Sequence, residues 1–304
     1  MNFRDFYKPG RLTYSFEVFP PKSDAGIADL IANLKNLRDL DPAFVSVTYG
    51  AMGSTRDLTR DLATRIKNEV GVTTAFHFTC VGTSRNDIKT TIERFKKEGF
   101  ELVVALRGDP PQGTEKFIPP SDGFAHANEL VSYIRSTNGF SIAVAGYPEG
   151  HIEAPNKEID LENLKRKVDA GGDIVITQLF FDNTDYFDFC ERARKIGITV
   201  PIVPGIMPIS NLKQIEKITK MCGARIPEKL HARLQENEGD PEKIREIGIE
   251  HAIAQCRGIM KQCQPWFHFY ILNKSEAVRR IINALDADVI ARTLSLPKGT
   301  KQSS

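Results

Sequence analysis

The sequence predicts a closed (β/α)8 barrel, a TIM barrel of the α/β class, on three observations. Apolar runs rich in β-branched residues alternate with amphipathic segments from one end of the chain to the other. There are eight such runs, the number that closes this barrel. Each is apolar at successive positions, as expected of a strand covered on both faces, and a closed parallel sheet leaves no edge strand to protect.

The first run is "TYSFEVFP", where Pro20 and Pro21 end the strand because proline cannot donate to a ladder. "GIADLIANLKNLRDL" follows, with apolar residues three and four apart and charges on the other side, the pattern of a surface helix. The second and third runs, "FVSVTYG" and "TAFHFTCV", are separated by the helical "STRDLTRDLATRIKNEV". "SRNDIKTTIERFKKEG" leads to "ELVVALRGD", and "SIAVAGYP" leads through "IDLENLKRKVDAGG" to "DIVITQLFF". "VPIVPGIMPI" and "WFHFYILN" complete the set, and glycine at the end of several helical segments fits a left-handed C-cap. The last unit is longer: "IPEKLHARLQEN" and "DPEKIREIGIEHAIAQCRGIMKQC" predict extra helices inserted before the final strand. Residues 1–304 are thus expected to form a single catalytic barrel domain without a regulatory domain, the polar tail from about 296 to 304 being frayed.

Charge and composition exclude several function classes. Lys plus Arg number 41 against 39 Asp plus Glu, a formal charge of +2, and no basic run interleaved with aromatics predicts a nucleic-acid surface. A small or moderately sized ligand is expected instead. "MNFRDFYKPGRLTYSF" lacks an apolar signal core and no stretch approaches a membrane span, so the expectation is a soluble, cytoplasmic protein. The five cysteines are scattered without a CxxC pair, which argues against both a disulfide framework and a structural zinc site; no metal is expected. GxGxxG, P-loop and HExxH patterns are absent, so any nucleotide cofactor must be held another way.

In a barrel of this kind, function sits at the C-terminal ends of the strands. Polar or ionisable residues fall there in nearly every run: Glu17, Thr48 and Tyr49, His77, the triplet Arg107, Gly108 and Asp109, Tyr147 with His151 beyond it, Gln178, and Tyr270. Singly, each has a plain structural origin, such as a hydrogen-bonded core histidine or an ion pair trimming a turn. Together, they converge on one face. "IDLENLKRKVDAGG" adds Asp160, Asn163, Arg166 and Lys167, of which Asp160, Asn163 and Lys167 recur at helical spacing. A solvated helix face commonly looks like this, but cations near His151 would also suit a pyrophosphate, with the carboxylate free for hydroxyl groups.

"SFEVFPPK", "FVSVTYGA", "HFTCVG", "VALRGDPP", "AGYPEGH", "DLENLKRKVDAGGDIVITQLFFD", "VPGIMPISN" and "FHFYILN" together resemble methylenetetrahydrofolate reductase in its short prokaryotic form, in order through essentially the whole barrel. The resemblance implies an FAD-dependent oxidoreductase of one-carbon metabolism and methionine synthesis. NADH or NADPH would reduce the flavin and leave, and methylenetetrahydrofolate would take the hydride to become methyltetrahydrofolate. It further implies a homo-oligomer. Neither the choice between NADH and NADPH nor the direction in which the reaction runs is written in the residues.

Carried over position by position, the resemblance makes Glu17 the general acid and Asp109 a carboxylate near flavin and pterin. It places Thr48, Tyr49, Ala51, His77, Arg107, Gly108, Asp109, His126, Ala127, Tyr147, His151, Ala154, Asp160, Asn163, Arg166 and Lys167 against FAD. Gln178, Gln214, Tyr270 and Lys274 join Glu17 and Asp109 at the folate or nicotinamide. Ile218 stands where some relatives have phenylalanine, and Lys274 where some have arginine, which keeps charge but loses the bidentate fork. The apolar neighbours Phe16, Val18 and Phe19 predict a protonated Glu17, at least with substrate bound, because burial disfavours the charged form. Arg107 is expected to balance part of the charge of Asp109. A proline-dehydrogenase-like flavin barrel, or a non-catalytic flavin- or folate-binding partner subunit, is the alternative reading.

Overall fold

The computed structural model describes residues 1–49, 56–109 and 122–295. The eight expected strands are all present: β1 (Thr13–Val18), β2 (Val45–Val47), β3 (Thr74–Thr79), β4 (Leu102–Leu106), β5 (Ser141–Gly146), β6 (Ile174–Leu179), β7 (Ile202–Ile206) and β8 (Trp266–Tyr270). Each pairs in parallel with the next, and β8 returns to β1 with Ser15 opposite His268 and Glu17 opposite Tyr270, closing the barrel.

Side-chain alternation along each strand divides the core in two. Phe16, Val18, Phe76, Phe78, Val103, Phe267 and Phe269 point outward into a shell beneath the helices. Ala75, Val104, Ala143, Ile174, Ile176 and Val203 point inward and fill the barrel, so it is a packed core and not a pore. The N-terminal end of the barrel is stoppered by the start of the chain. Phe3 and Tyr7 are buried there, Phe3 meets Phe44 edge-on at 5.0 Å, and Trp266 donates its indole N–H to Lys8 O at 3.1 Å. Burying each aromatic contributes about 2–3 kcal/mol, and the plug closes this end of the barrel.

Among the described residues ten helices follow the strands: α1 (Asp24–Lys35), α2 (Arg56–Arg65), α3 (Arg85–Lys97), α4 (Ala127–Ser136), α5 (Lys157–Asp169), α6 (Asn183–Lys195), α7 (Leu212–Cys222), α8 (Glu228–Gln235), α9 (Pro241–Met260) and α10 (Glu276–Ser295). Ser23, Ser84, Asn156, Asp182, Asn211 and Asp240 cap α1, α3, α5, α6, α7 and α9 by accepting backbone N–H groups, each cap worth about 1 kcal/mol. The inserted α8 and α9 make a separate small core, in which Leu230, Leu234, Ile244 and Ile247 pack on Leu179, Met207, Ile209 and Ile215. Gly248 permits that approach: a Cβ there would lie 2.0 Å from Ile209 O. None of the described helices is long and apolar enough to cross a membrane.

Candidate active site

At the open end, Glu17 points inward from β1 and meets two histidines from neighbouring strands. Its Oε2 lies 3.3 Å from His268 Nε2 and 3.1 Å from His77 Nε2, the second contact being within ion-pair range but off the hydrogen-bond direction. The Glu17 side chain is 17% exposed and that of His268 is fully buried. Burial by itself would push the Glu17 carboxyl up. The charge of His77 outweighs it, together with the hydrogen bond and charge of His268, and brings the group down to about 2. In the ligand-free protein the carboxyl is thus held in its ionised form, while the expected protonation concerns the state with substrate bound. Phe16 and Val18 flank it in sequence but face outward under strand alternation, and Phe19 is exposed, so none of the three sets its environment.

Behind Glu17 runs a buried polar chain. His268 Nδ1 and Ser15 Oγ are 2.7 Å apart, and Ser15 Oγ is 3.4 Å from the Tyr7 hydroxyl. Sequence reasoning did not single out Ser15, His268 or Tyr7. The signal lay two residues back from Glu17 and from Tyr270, on the same inward row of each strand.

The loops after β4 and β5 supply a second cluster. Arg107 closes a two-pronged ion pair with Glu153, at 2.5 and 2.8 Å, while the exposed Asp109 contributes less to its charge balance. Asp109 still adds to the charges that hold Arg107, and the planar fork fits the Glu153 carboxylate presented end-on by the neighbouring loop. Gly108 has φ +90°, and a Cβ there would press on Val81 Cγ1 at 2.5 Å, so the turn that presents Asp109 requires glycine. Lys167 reaches from α5 to donate to Ala145 O at 2.5 Å and sits 5.7 Å from the Tyr147 ring. Burial pulls Lys167 down to about 8 against the opposing charge of Asp160, and burial likewise raises Asp160. His151 packs edge-on against Tyr147 at 4.6 Å, and Ala154 N closes a turn on His151 O at 2.9 Å.

The remaining expected flavin contacts are more dispersed. Thr48 and Tyr49 follow β2, with Thr48 N bonded to Val18 O and Tyr49 packed edge-on against Phe78. Asn163 and Arg166 are exposed and bond each other on α5, while Asp160 is buried and Lys167 half-buried. Asp160, Asn163 and Lys167 keep their helical spacing on α5, with Asn163 at its more exposed margin. His126 and Ala127 lie at the start of α4, and Ala51 lies outside the described residues.

On the other side of Glu17, the Tyr270 hydroxyl donates to Thr177 O at 2.7 Å, and the charge of Glu17 adds to the burial that raises its pKa. Gln178 follows Thr177 at an irregularity in the pairing of β6 with β7, and its Oε1 accepts from Leu179 N at 2.9 Å. Gln214, Ile218 and Lys274 line an adjoining cleft.

A family model described as methylenetetrahydrofolate reductase matches residues 2–286. The chain belongs to the methylenetetrahydrofolate reductase family. A maize relative named methylenetetrahydrofolate reductase (NADH) 1 is 41% identical over 284 residues, covering 90% of this chain and 48% of its own length. The chain thus spans about half the length of the plant methylenetetrahydrofolate reductases it matches. The Escherichia coli 5,10-methylenetetrahydrofolate reductase is 38% identical over 276 residues, covering 91% of both chains. Among solved structures, a Clostridium thermocellum protein described as binding two copies of 5-methyl-5,6,7,8-tetrahydrofolic acid superposes with a TM-score of 0.64. Its identity is 12%, with 92% of this chain and 96% of that one covered, so it speaks for the shared fold alone. Within the methylenetetrahydrofolate reductase family, the mouth of this barrel brings Glu17, His77, His268 and Tyr270 together on one side, and Arg107, Tyr147, His151, Asp160 and Lys167 on the other.

Proposed function

We propose that this chain is an FAD-dependent reductase that passes a hydride from NADH or NADPH to methylenetetrahydrofolate, giving methyltetrahydrofolate. The observation that carries the reading is Glu17, a carboxylate held by two imidazoles at the one open end of a barrel of this family. The cluster around α5 fits a flavin dinucleotide. Lys167 is a half-buried cation with no ion pair among the described residues, which suits a phosphate oxygen, and Asp160 beside it suits hydroxyl groups. When bound, FAD supplies the hydride relay between nicotinamide and folate.

The task left to the protein is a proton. The methylene bridge accepts hydride once a ring nitrogen is protonated and the five-membered ring opens to an iminium. Glu17 is the donor by position, but as an ionised group it must first be loaded. His77 and His268 each hold a ring nitrogen against the same Oε2, and Ser15 fixes the other nitrogen of His268. When a folate covers the mouth and displaces water, an imidazolium–carboxylate pair is disfavoured relative to neutral imidazole and carboxylic acid, so the proton passes to Glu17 and then to substrate. Asp109, on the rim, favours the cationic iminium by its charge. Gln178, Gln214, Tyr270 and Lys274 orient the acceptor.

Anaerobic half-reactions test the assignment. NADH or NADPH should bleach the flavin, and methylenetetrahydrofolate should restore its colour at a rate compatible with turnover. A reduced flavin that ignores the folate but is reoxidised by another amine-derived acceptor would defeat the proposal.

A further inference from the structure

We propose that Gln255 and His251 of the inserted helix α9 are positioning residues: they fix the backbone after β6 that presents Gln178 to the folate. The proposal rests on the reductase reading above, in which Gln178 helps to orient the acceptor. It gives the insertion a part in the chemistry of the mouth.

The pairing of β6 with β7 slips at this point. Ile176 pairs with Val203 and Leu179 with Gly205, so β6 advances three residues while β7 advances two. Such a bulge re-aims a side chain and leaves the local backbone without its regular ladder. Gln178 sits in it, half-buried, with its Oε1 tied to Leu179 N at 2.9 Å and its amide nitrogen without a partner among the described residues. That nitrogen is a donor at the mouth. Its direction depends on what holds the residues on either side.

On one side the hold is Tyr270. Its hydroxyl donates to Thr177 O at 2.7 Å past Gly205, where any Cβ would overlap both the carbonyl and the tyrosine ring. Tyr270 stands opposite Glu17 in the pairing of β8 with β1, so this anchor belongs to the site. On the other side the hold comes from α9. Gln255 Nε2 donates to Phe180 O at 2.8 Å, and His251 Nε2 donates to Phe181 O at 3.1 Å. The two side chains lie about one turn apart on the same side of α9 and reach successive carbonyls. Facing a carbonyl, the His251 Nε2 must carry a proton. Asn183 answers by donating to Gln255 O at 2.9 Å, an approach that Gly258 permits because a Cβ there would crowd the Asn183 amide. Phe180, Phe181 and Gln255 are all buried, so a donor removed from α9 leaves its carbonyl unsatisfied and the loop shifts to find another. Gln178 moves with the loop.

Anaerobic half-reactions of the FAD-loaded enzyme test the proposal. Gln255→Met removes the donor with little change of volume. Reoxidation of the reduced flavin by methylenetetrahydrofolate should slow by about tenfold, while bleaching by NADH or NADPH stays within about twofold. His251→Leu should slow reoxidation by about threefold, and His251→Gln, which retains a donor, should restore the rate. The same substitution in a Gln178→Ala background separates positioning from packing. There Gln255→Met should add less than about twofold, because the group it positions is gone. The full effect in that background would overturn the proposal. Equal slowing of both half-reactions overturns it too, as does a lowered unfolding midpoint with both rates intact. Should Gln255→Met fold poorly, His251→Leu, at a half-buried position, carries the same comparison. A wild type whose reduced flavin does not react with the folate would defeat the reductase reading itself, and the positioning role with it.

Discussion

His268 Nε2 stands 3.3 Å from Glu17 Oε2 while its Nδ1 stands 2.7 Å from Ser15 Oγ, so one fully buried ring joins the candidate acid to a polar chain inside the barrel. The arrangement fixes the imidazole from both sides. Its orientation toward the carboxylate is thereby set by a partner on each ring nitrogen.

Replacing Glu17 by Gln removes the proposed proton donor and keeps the shape. Flavin bleaching by NADH or NADPH should proceed within about twofold of wild type, because hydride transfer from nicotinamide needs no acid. Reoxidation by methylenetetrahydrofolate should slow by about 10²–10⁴-fold, the usual contribution of general acid catalysis. Equal loss in both half-reactions, with FAD still bound, would remove Glu17 from the proton step.

The depressed Glu17 carboxyl also sets a pH dependence of stability. Its folded value, about 2, lies below the ordinary 4.5, so its stabilising contribution is complete above about pH 4.5 and disappears as pH falls towards 2. Denaturant melts at stepped pH should show wild type losing stability relative to Glu17→Gln across that window. In His268→Asn one of the groups that lower the carboxyl is gone while His77 remains, so the depression should shrink and the lower edge of the window move upward. Parallel curves for wild type and Glu17→Gln would show that the histidines do not hold the carboxylate.

The barrel was legible because its strands are buried on both faces, and runs such as "ELVVALRGD" and "DIVITQLFF" announce this without any knowledge of tertiary contacts. The N-terminal plug was not. Phe3 and Tyr7 have no periodic pattern around them, and only closure of the barrel gives them an end to fill. The surroundings of Glu17 were not legible, because its sequence neighbours face away from it and the groups that meet it, His77 and His268, lie on other strands. Glu153 was missed for the same reason: its partner Arg107 is 46 residues distant.

Lys167 offers a test of the flavin site with a spectroscopic readout. At a pKa of about 8 it loses its proton in mildly alkaline solution, and its attraction for a phosphate goes with it. The FAD dissociation constant, followed by flavin fluorescence, should rise by about three- to tenfold between roughly pH 7.5 and 9.5. Lys167→Arg keeps its charge throughout and should flatten that rise, whatever its affinity at neutral pH. Lys167→Met should bind FAD about tenfold more weakly at neutral pH and show no rise. A wild-type constant that is flat over the range would place the phosphates elsewhere.

The far end of the barrel can be probed without touching the site. Asp173, buried at the start of β6, accepts from Ser141 Oγ and Ile142 N at 2.8 Å each and from Arg135 at 2.7 Å, and lies 3.8 Å from Arg4. It ties β5, β6, α4 and the N-terminal plug together. Asp173→Ala would leave a hydroxyl, a backbone N–H and part of a guanidinium without their acceptor. Because both arginines are partly exposed, the expected cost is about 2–3 kcal/mol and not the full penalty of a buried pair. Urea unfolding of the FAD-free protein should show a lowered midpoint with an unchanged slope, since bound flavin would mask part of the loss by mass action. Below the unfolding range kcat should be unaffected, because the mouth and the plug lie at opposite ends of the barrel. A destabilisation under about 0.5 kcal/mol would mean that the plug is held by its aromatic burial alone.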